Sequence, residues 1–197
     1  MCRPTVSDIQ QSLHTFEWSG LVNPGKNKGT RGQALELALG VPNSSDLKDL
    51  VDGELKTYTI GESIACTQLL HCLPEIVSGT SFSESKLGRK MEQTIYIGFS
   101  RMNEFQGTIT LNKETHGEHY HHLEEDYNFI CCAIIEALRE KTQLGTITGP
   151  NNLLQIRTKA SKSADGSYKP LIFNDHMLKN KGMAFYLCSQ FGKHILV

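Results

Sequence analysis

The stretch GELKTYTI, residues 53–60, alternates as a strand does: Leu55 points to one face while Glu54 and Lys56 share the other. A strand with faces this unlike belongs in a sheet with one buried side, and its neighbours say which kind. Upstream, TRGQALELALG (30–40) reads as a helix with Leu35, Ala38 and Leu39 on one face and Gly40 as its stop. Downstream, QTIYIGFS and QGTITLN are β-rich runs that pair as a hairpin around FSRMNEF. LEEDYNFICCAIIEALREK reads as the longest amphipathic helix, with acids in its first turn and Arg139 and Lys141 near its end, where the helix dipole favours them. LLQIRTKA and MAFYLCS read as two further strands. Strands interleaved with helices predict an α/β chain with a central mixed β-sheet flanked by helices.

The remaining segments fill in around this frame. SDIQQSLHTFEW (7–18) reads as a short helix capped by Ser7 or Asp8, TQLLHCLPEIV as a helix broken near Pro74, and FSESKLGRK as a short basic helix or loop. PNSSD is a turn cluster, ASKSADGSYK a basic loop, and FGKHILV starts a last element. With 197 residues, 39% of them hydrophobic, the chain suits one domain (1–197) with a real core and room for two small lobes. No apolar run approaches the roughly 18 residues a membrane span needs, and MCRPTVSDIQQ lacks the apolar block of a signal peptide. A cytoplasmic location follows as the expectation. The six cysteines form no CxxC pair and read there as reduced thiols.

A net charge of -1 does not advertise a nucleic-acid binder, but its distribution is polarised. Residues 151–197 carry seven Lys and Arg against Asp165 and Asp175, while 104–126 carry six acids against Lys113. The basic C-terminal quarter can face phosphates while the acidic face stays in solvent.

Four groups of residues carry candidate chemistry. An acid followed by Glu54-x-Lys56 suits phosphodiester hydrolysis with Mg²⁺: carboxylates are the hard oxygen ligands the ion takes, and the adjacent lysine can orient a water or stabilise an oxyanion. Asp46 is a plausible partner for Glu54, with Asp49 and Asp52 competing for the role. Glu36, one residue after the core-facing Leu35, is a third acid within reach. Arg157 and Lys159 in LQIRTKA end a strand two residues apart, and with Tyr186 they offer groups that hold phosphates and probe bases. HGEHYHHLEED (116–126) crowds four histidines among acids, yet no HExxH spacing occurs, and the run reads as a polar loop before a helix. No GxSxG, GxxxxGK[ST] or GxGxxG is present, so serine-hydrolase and nucleotide-binding readings lack support.

Taken in order, KGTRGQALELALG (28–40), SDLKDLVDGELKT (45–57), SKLGRK (85–90), LEEDYNFI (123–130), LLQIRTKA (153–160) and AFYLCSQF (184–191) resemble the MutH-like DNA endonucleases. That family comprises a mismatch-repair strand nickase and related type II restriction enzymes. The resemblance implies a restriction-endonuclease-like fold with two lobes, approximately 1–120 catalytic and 121–197 DNA-reading, forming a DNA cleft. It implies metal ligands at Asp46, Glu54 and the Leu55 carbonyl, a catalytic lysine at Lys56, and supporting roles for Glu36 and Lys86. It puts Arg157 and Lys159 in a base-reading loop and Tyr186 where an adenine methyl group is sensed. The run from Asp46 to Glu54 is about one residue longer than the family's spacing, which leaves Asp49 open as the ligand. The function implied is a Mg²⁺-dependent restriction endonuclease of double-stranded DNA, with GATC as the first candidate site and a homodimer as one possible assembly. The alternatives are a nickase that needs a MutL-type partner and a DNA-binding domain without catalysis.

Overall fold

The computed structural model describes residues 3–21, 28–43, 46–159 and 166–194. Six α-helices are present among them: α1 (Val6–His14), α2 (Lys28–Ala38), α3 (Leu73–Val77), α4 (Lys86–Met91), α5 (Gly117–Glu140) and α6 (Ser189–His194). The strands are β1 (Glu54–Thr59), β2 (Ile64–Gln68), β3 (Gln93–Phe99), β4 (Phe105–Asn112), β5 (Ile147–Thr148), β6 (Leu154–Thr158), β7 (Leu171–Phe173), β8 (His176–Lys179) and β9 (Met183–Leu187). The chain is mixed α/β, with a mixed sheet and flanking helices. Contacts divide it into two units: Met1–Ile60 with Lys90–His116, and Gly61–Arg89 with Gly117–Ile195. Residues 61–89 therefore fall with the C-terminal part of the chain rather than with a catalytic half running to residue 120.

In the first unit β1 and β3 run parallel while β3 and β4 form the antiparallel hairpin expected from their alternation. The core joins Val6 and Ile9 of α1, Leu35 of α2, Leu50, and Leu55, Ile95, Ile97 and Phe99 of the sheet. Helix α1 begins one residue earlier than its polar sequence suggests. Its cap is Thr5, whose hydroxyl accepts from the Asp8 N–H, and Asp8 answers by accepting from the Thr5 N–H. Asp8 is thus the third helical residue of a capping box and not the cap. Helix α2 ends at Gly40, whose φ of 72° only glycine adopts without strain, and the Val41 N–H returns to the Glu36 carbonyl.

In the second unit β2, β9, β6 and β5 form an antiparallel sheet, with every residue of the central β9 buried. Helix α5 packs on β5, β6 and β8. It starts at Gly117 and takes the run HGEHYHH into its first turns, where the sequence suggested a polar loop. The buried Tyr120 explains the difference: it continues the apolar stripe of Leu123, Tyr127, Ile130 and Ile134 toward the N-terminus. Pro74 opens α3 instead of breaking a longer helix, because a missing N–H costs nothing in the first turn. The residues before it are the strand β2 and a 3₁₀ turn. The hairpin β7–β8 closes through Asn174 and Asp175, both at positive φ, a two-residue turn these side chains tolerate. The expected PNSSD turn and ASKSADGSYK loop lie partly outside the described residues. No described helix is long and apolar enough to cross a membrane.

Candidate active site

Three acids stand at three-residue intervals in the segment leading to β1, and each meets a different partner. Asp46 pairs with Arg3 at 3.2 Å and is more than half exposed. Asp52 accepts the Val6 N–H at 2.8 Å, tying the start of α1 to this segment. Between them Leu50 is fully buried and its N–H bonds the Gly53 carbonyl, which holds the turn. Gly53 admits no side chain: a Cβ there would lie 2.5 Å from the Val6 side chain and 2.9 Å from the Gln93 carbonyl oxygen. Asp49, just before Leu50, lies on the polar face of β1.

There Asp49 meets Glu54 and Lys56. The Lys56 ammonium lies 2.5 Å from Glu54 Oε1 and 3.6 Å from Asp49 Oδ2. The Asp49 N–H donates to Glu54 Oε2 at 3.1 Å, and the Leu55 N–H donates to Asp49 Oδ2 at 3.4 Å. In a strand the N–H and C=O of one residue point to the same edge, so the Leu55 carbonyl faces the side on which Asp49 sits. Glu54 and Lys56 share a face as their spacing predicts, while the Leu55 side chain is buried in the core. The structure thus brings Asp49, and not Asp46, to Glu54 and Lys56.

A second lysine completes the group. Lys90 on α4 donates to the same Glu54 Oε1 at 2.9 Å. Lys86, one helical turn earlier and in the other unit, instead places its ammonium on the His71 carbonyl at 3.2 Å, with its own N–H on Glu75. The lysine on Glu54 is therefore Lys90. The spacing of four residues in KLGRK puts both on one helical face, and that was the available signal for it.

The electrostatics separate the three acids. Burial works to raise Glu54, but the Lys56 and Lys90 ammoniums outweigh it, and its carboxyl titrates below the ordinary glutamate value. Burial pushes the Asp49 carboxyl up, with Lys56 partly opposing it. Glu36 on α2 is also raised, first by burial and then by the charge of Asp49. Glu36 thus lies within the field of the cluster. At Gly32, one turn before it on α2, an added Cβ would press on the Thr57 hydroxyl at 3.3 Å, so this glycine lets the helix approach β1.

Asp49, Glu54, Glu36 and the Leu55 carbonyl are the hard oxygen donors Mg²⁺ takes, and that ion commonly binds through one or two carboxylates while keeping waters. Two ammoniums now hold Glu54 Oε1, so an incoming cation has to displace at least one of them. No group of three or more His, Cys, Asp or Glu arranged to hold a metal occurs among the described residues. In the histidine-rich run, His116 bonds the Thr115 hydroxyl and Asn112, and His121 reaches Glu125 at 3.5 Å.

The basic residues noted near the C-terminus lie in the second unit. The Arg157 guanidinium stacks over the Tyr186 ring at 4.3 Å from its centre, across the β6–β9 pairing. Tyr186 is buried, with 8% of its surface exposed, so it presents little of itself to a ligand. Lys159 is exposed just past β6, with its N–H bonded to the Gly182 carbonyl. The start of β6 hangs on Asp126 of α5, a fully buried carboxylate that accepts the Asn151, Leu153 and Leu154 N–H groups at 2.7, 2.8 and 2.8 Å. Gly149 makes room for it: a Cβ there would lie 2.2 Å from Asp126 Cγ. Sequence reading passed over Asp126 because it looks like one more first-turn acid in LEEDYNF.

Comparison with known protein families and with curated proteins found no match to this chain.

Proposed function

We propose that this chain is a Mg²⁺-dependent endonuclease of double-stranded DNA. The observation that carries the reading is Asp49, Glu54 and Lys56 drawn together at one edge of a mixed sheet, with Glu54 kept ionised by two lysines. A buried carboxylate held charged beside a less acidic one suits a cation site and its water. Asp49, Glu54 and the Leu55 carbonyl would hold the ion, with Glu36 behind them. Bound Mg²⁺ would lower the pKa of a water and offset charge on the phosphate. Lys56 orients that water. As the oxygen of an attacking water bonds to phosphorus, the P–O3′ bond would break, the water would give up a proton to solvent and the leaving O3′ would take one, giving 5′-phosphate and 3′-hydroxyl ends. Lys90 keeps Glu54 ionised and adds positive charge near the phosphate. Arg157 and Lys159 supply contacts to the duplex.

The order of the motifs supports a MutH-like relationship, and that resemblance would imply a restriction enzyme with GATC as the first candidate site and sensitivity to adenine methylation. A second reading, a DNA-binding domain that does not cut, draws on the two ammoniums that already satisfy Glu54 Oε1. Purified protein incubated with Mg²⁺ and supercoiled plasmid separates these. Discrete linear fragments are expected, nicked circles indicate a strand nickase, and retarded but intact plasmid indicates binding alone. Lys56→Ala is expected to abolish cutting while retaining binding, and full activity in that variant overturns the site.

A further inference from the structure

A small cavity of about 80 Å³ lies in the second unit, between the end of β6, the start of β7 and the turn before β9. Lys159, Lys169 and Gln68 are among the residues that line it, and no acid lines it among the described residues. The fold builds this pairing. Both lysine backbones converge on Gly182, where an added Cβ would lie 3.2 Å from the Lys159 carbonyl oxygen and 3.9 Å from that of Lys169. The Lys159 N–H is bonded to the Gly182 carbonyl, which fixes the first of the two. Beside the second, Lys181 holds its ammonium over the Tyr168 ring at 4.3 Å, adding positive charge to the same edge.

We propose that this cavity seats a single backbone phosphodiester of the nucleic acid, held jointly by Lys159 and Lys169. The proposal rests on the nuclease reading for its ligand and assigns Lys159 to phosphate and not to a base edge. Two lysines on long flexible stems and an amide side chain, all from residues lining one small cavity, can reach a tetrahedral anion seated there. A base edge offers acceptors in a plane and would leave the cavity unfilled. Phosphate contacts fix where the duplex lies but carry no sequence information, so the pocket sets register and leaves base choice to other groups.

The test measures duplex affinity against salt for the wild type, K159Q, K169Q and the double variant. Fluorescence anisotropy is read without Mg²⁺, and circular dichroism confirms folding. The double variant is expected to lower the slope of log K against log salt by about 0.9, the value for one phosphate. Preference among duplex sequences should stay unchanged. A drop of about 1.8 means two separate phosphate contacts and overturns the shared site. An unchanged slope, or an altered sequence preference with the slope kept, overturns it as well. If the wild type binds no duplex, the nuclease reading fails, and inorganic phosphate then decides the pocket alone. Phosphate should raise the melting temperature above that in chloride of equal ionic strength for the wild type but not for the double variant. No difference between the two overturns the proposal.

Discussion

Asp126→Ala removes one carboxylate and strands three backbone donors. The Leu154 N–H is buried and has no route to water, so it pays nearly the full desolvation cost, about 2–3 kcal/mol. The Asn151 and Leu153 donors are partly buried and can recover some hydration, so each loses about 1 kcal/mol. The sum is about 4–5 kcal/mol. For a chain of 197 residues, at about 2–4 °C per kcal/mol, the melting temperature should fall by about 8–20 °C. Asp126→Asn keeps the shape and one acceptor oxygen but turns an NH₂ toward a donor, so it should fall between the two. Calorimetry with far-UV circular dichroism measures both variants. A loss under about 1 kcal/mol in the alanine variant refutes the idea that this carboxylate organises the entry to β6.

Asp49→Asn should abolish Mg²⁺-dependent plasmid cleavage, whereas Asp46→Asn should leave it within a few fold; the reverse ranking returns Asp46 to the site. Glu36 and Asp49 titrate above their ordinary values, and a cation binds only their ionised forms. Mg²⁺ affinity should therefore climb with pH through a range above that of ordinary carboxylates, with proton release seen by calorimetry in buffers of different ionisation enthalpy. The metal-free protein has the matching stability signs. A raised carboxyl costs stability above its folded pKa, so Glu36→Gln should raise the neutral-pH melting temperature and lose that gain as pH falls. Glu54 is lowered, so it stabilises above its unfolded pKa and loses this as pH falls through its folded pKa; Glu54→Gln should lower the neutral-pH melting temperature. Gly149→Ala should destabilise by about 1–3 kcal/mol, because the new methyl group overlaps Asp126, and a neutral result contradicts the packing described there.

Local periodicity carried the elements that hold the site. Alternation in GELKTYTI placed Glu54 and Lys56 on one face, and the β3–β4 hairpin and the body of α5 followed from their own patterns. What escaped was fixed by distant contacts. Asp49 prevails over Asp46 because Arg3 takes Asp46, Asp52 binds α1, and Leu50 fixes the turn, none of which spacing reveals. Lys90 and Lys86 share a helical face, so only their tertiary partners, Glu54 and the His71 carbonyl, tell them apart. The histidine run looked like a loop because its polar residues masked one buried position, Tyr120. Lys169 drew no notice, since only the fold brings its backbone and that of Lys159 together at Gly182.

The parallel pairing of β1 with β3 bears on how the chain reaches this state. Residues 61–89 leave β1, join the second unit and return before β3 can align, so the strands meet only after a long excursion. Closing such a loop costs chain entropy before any contact repays it, and parallel pairings of this kind slow folding. Glu54 cannot meet Lys90, 36 residues away, until that closure has happened. During synthesis from the N-terminus, the nascent chain therefore carries Glu54 and Lys56 without their partner for the whole interval in which 61–89 emerge. The cluster of Asp49, Glu54, Lys56 and Lys90 is a late product of folding, complete only once β1 has paired with β3.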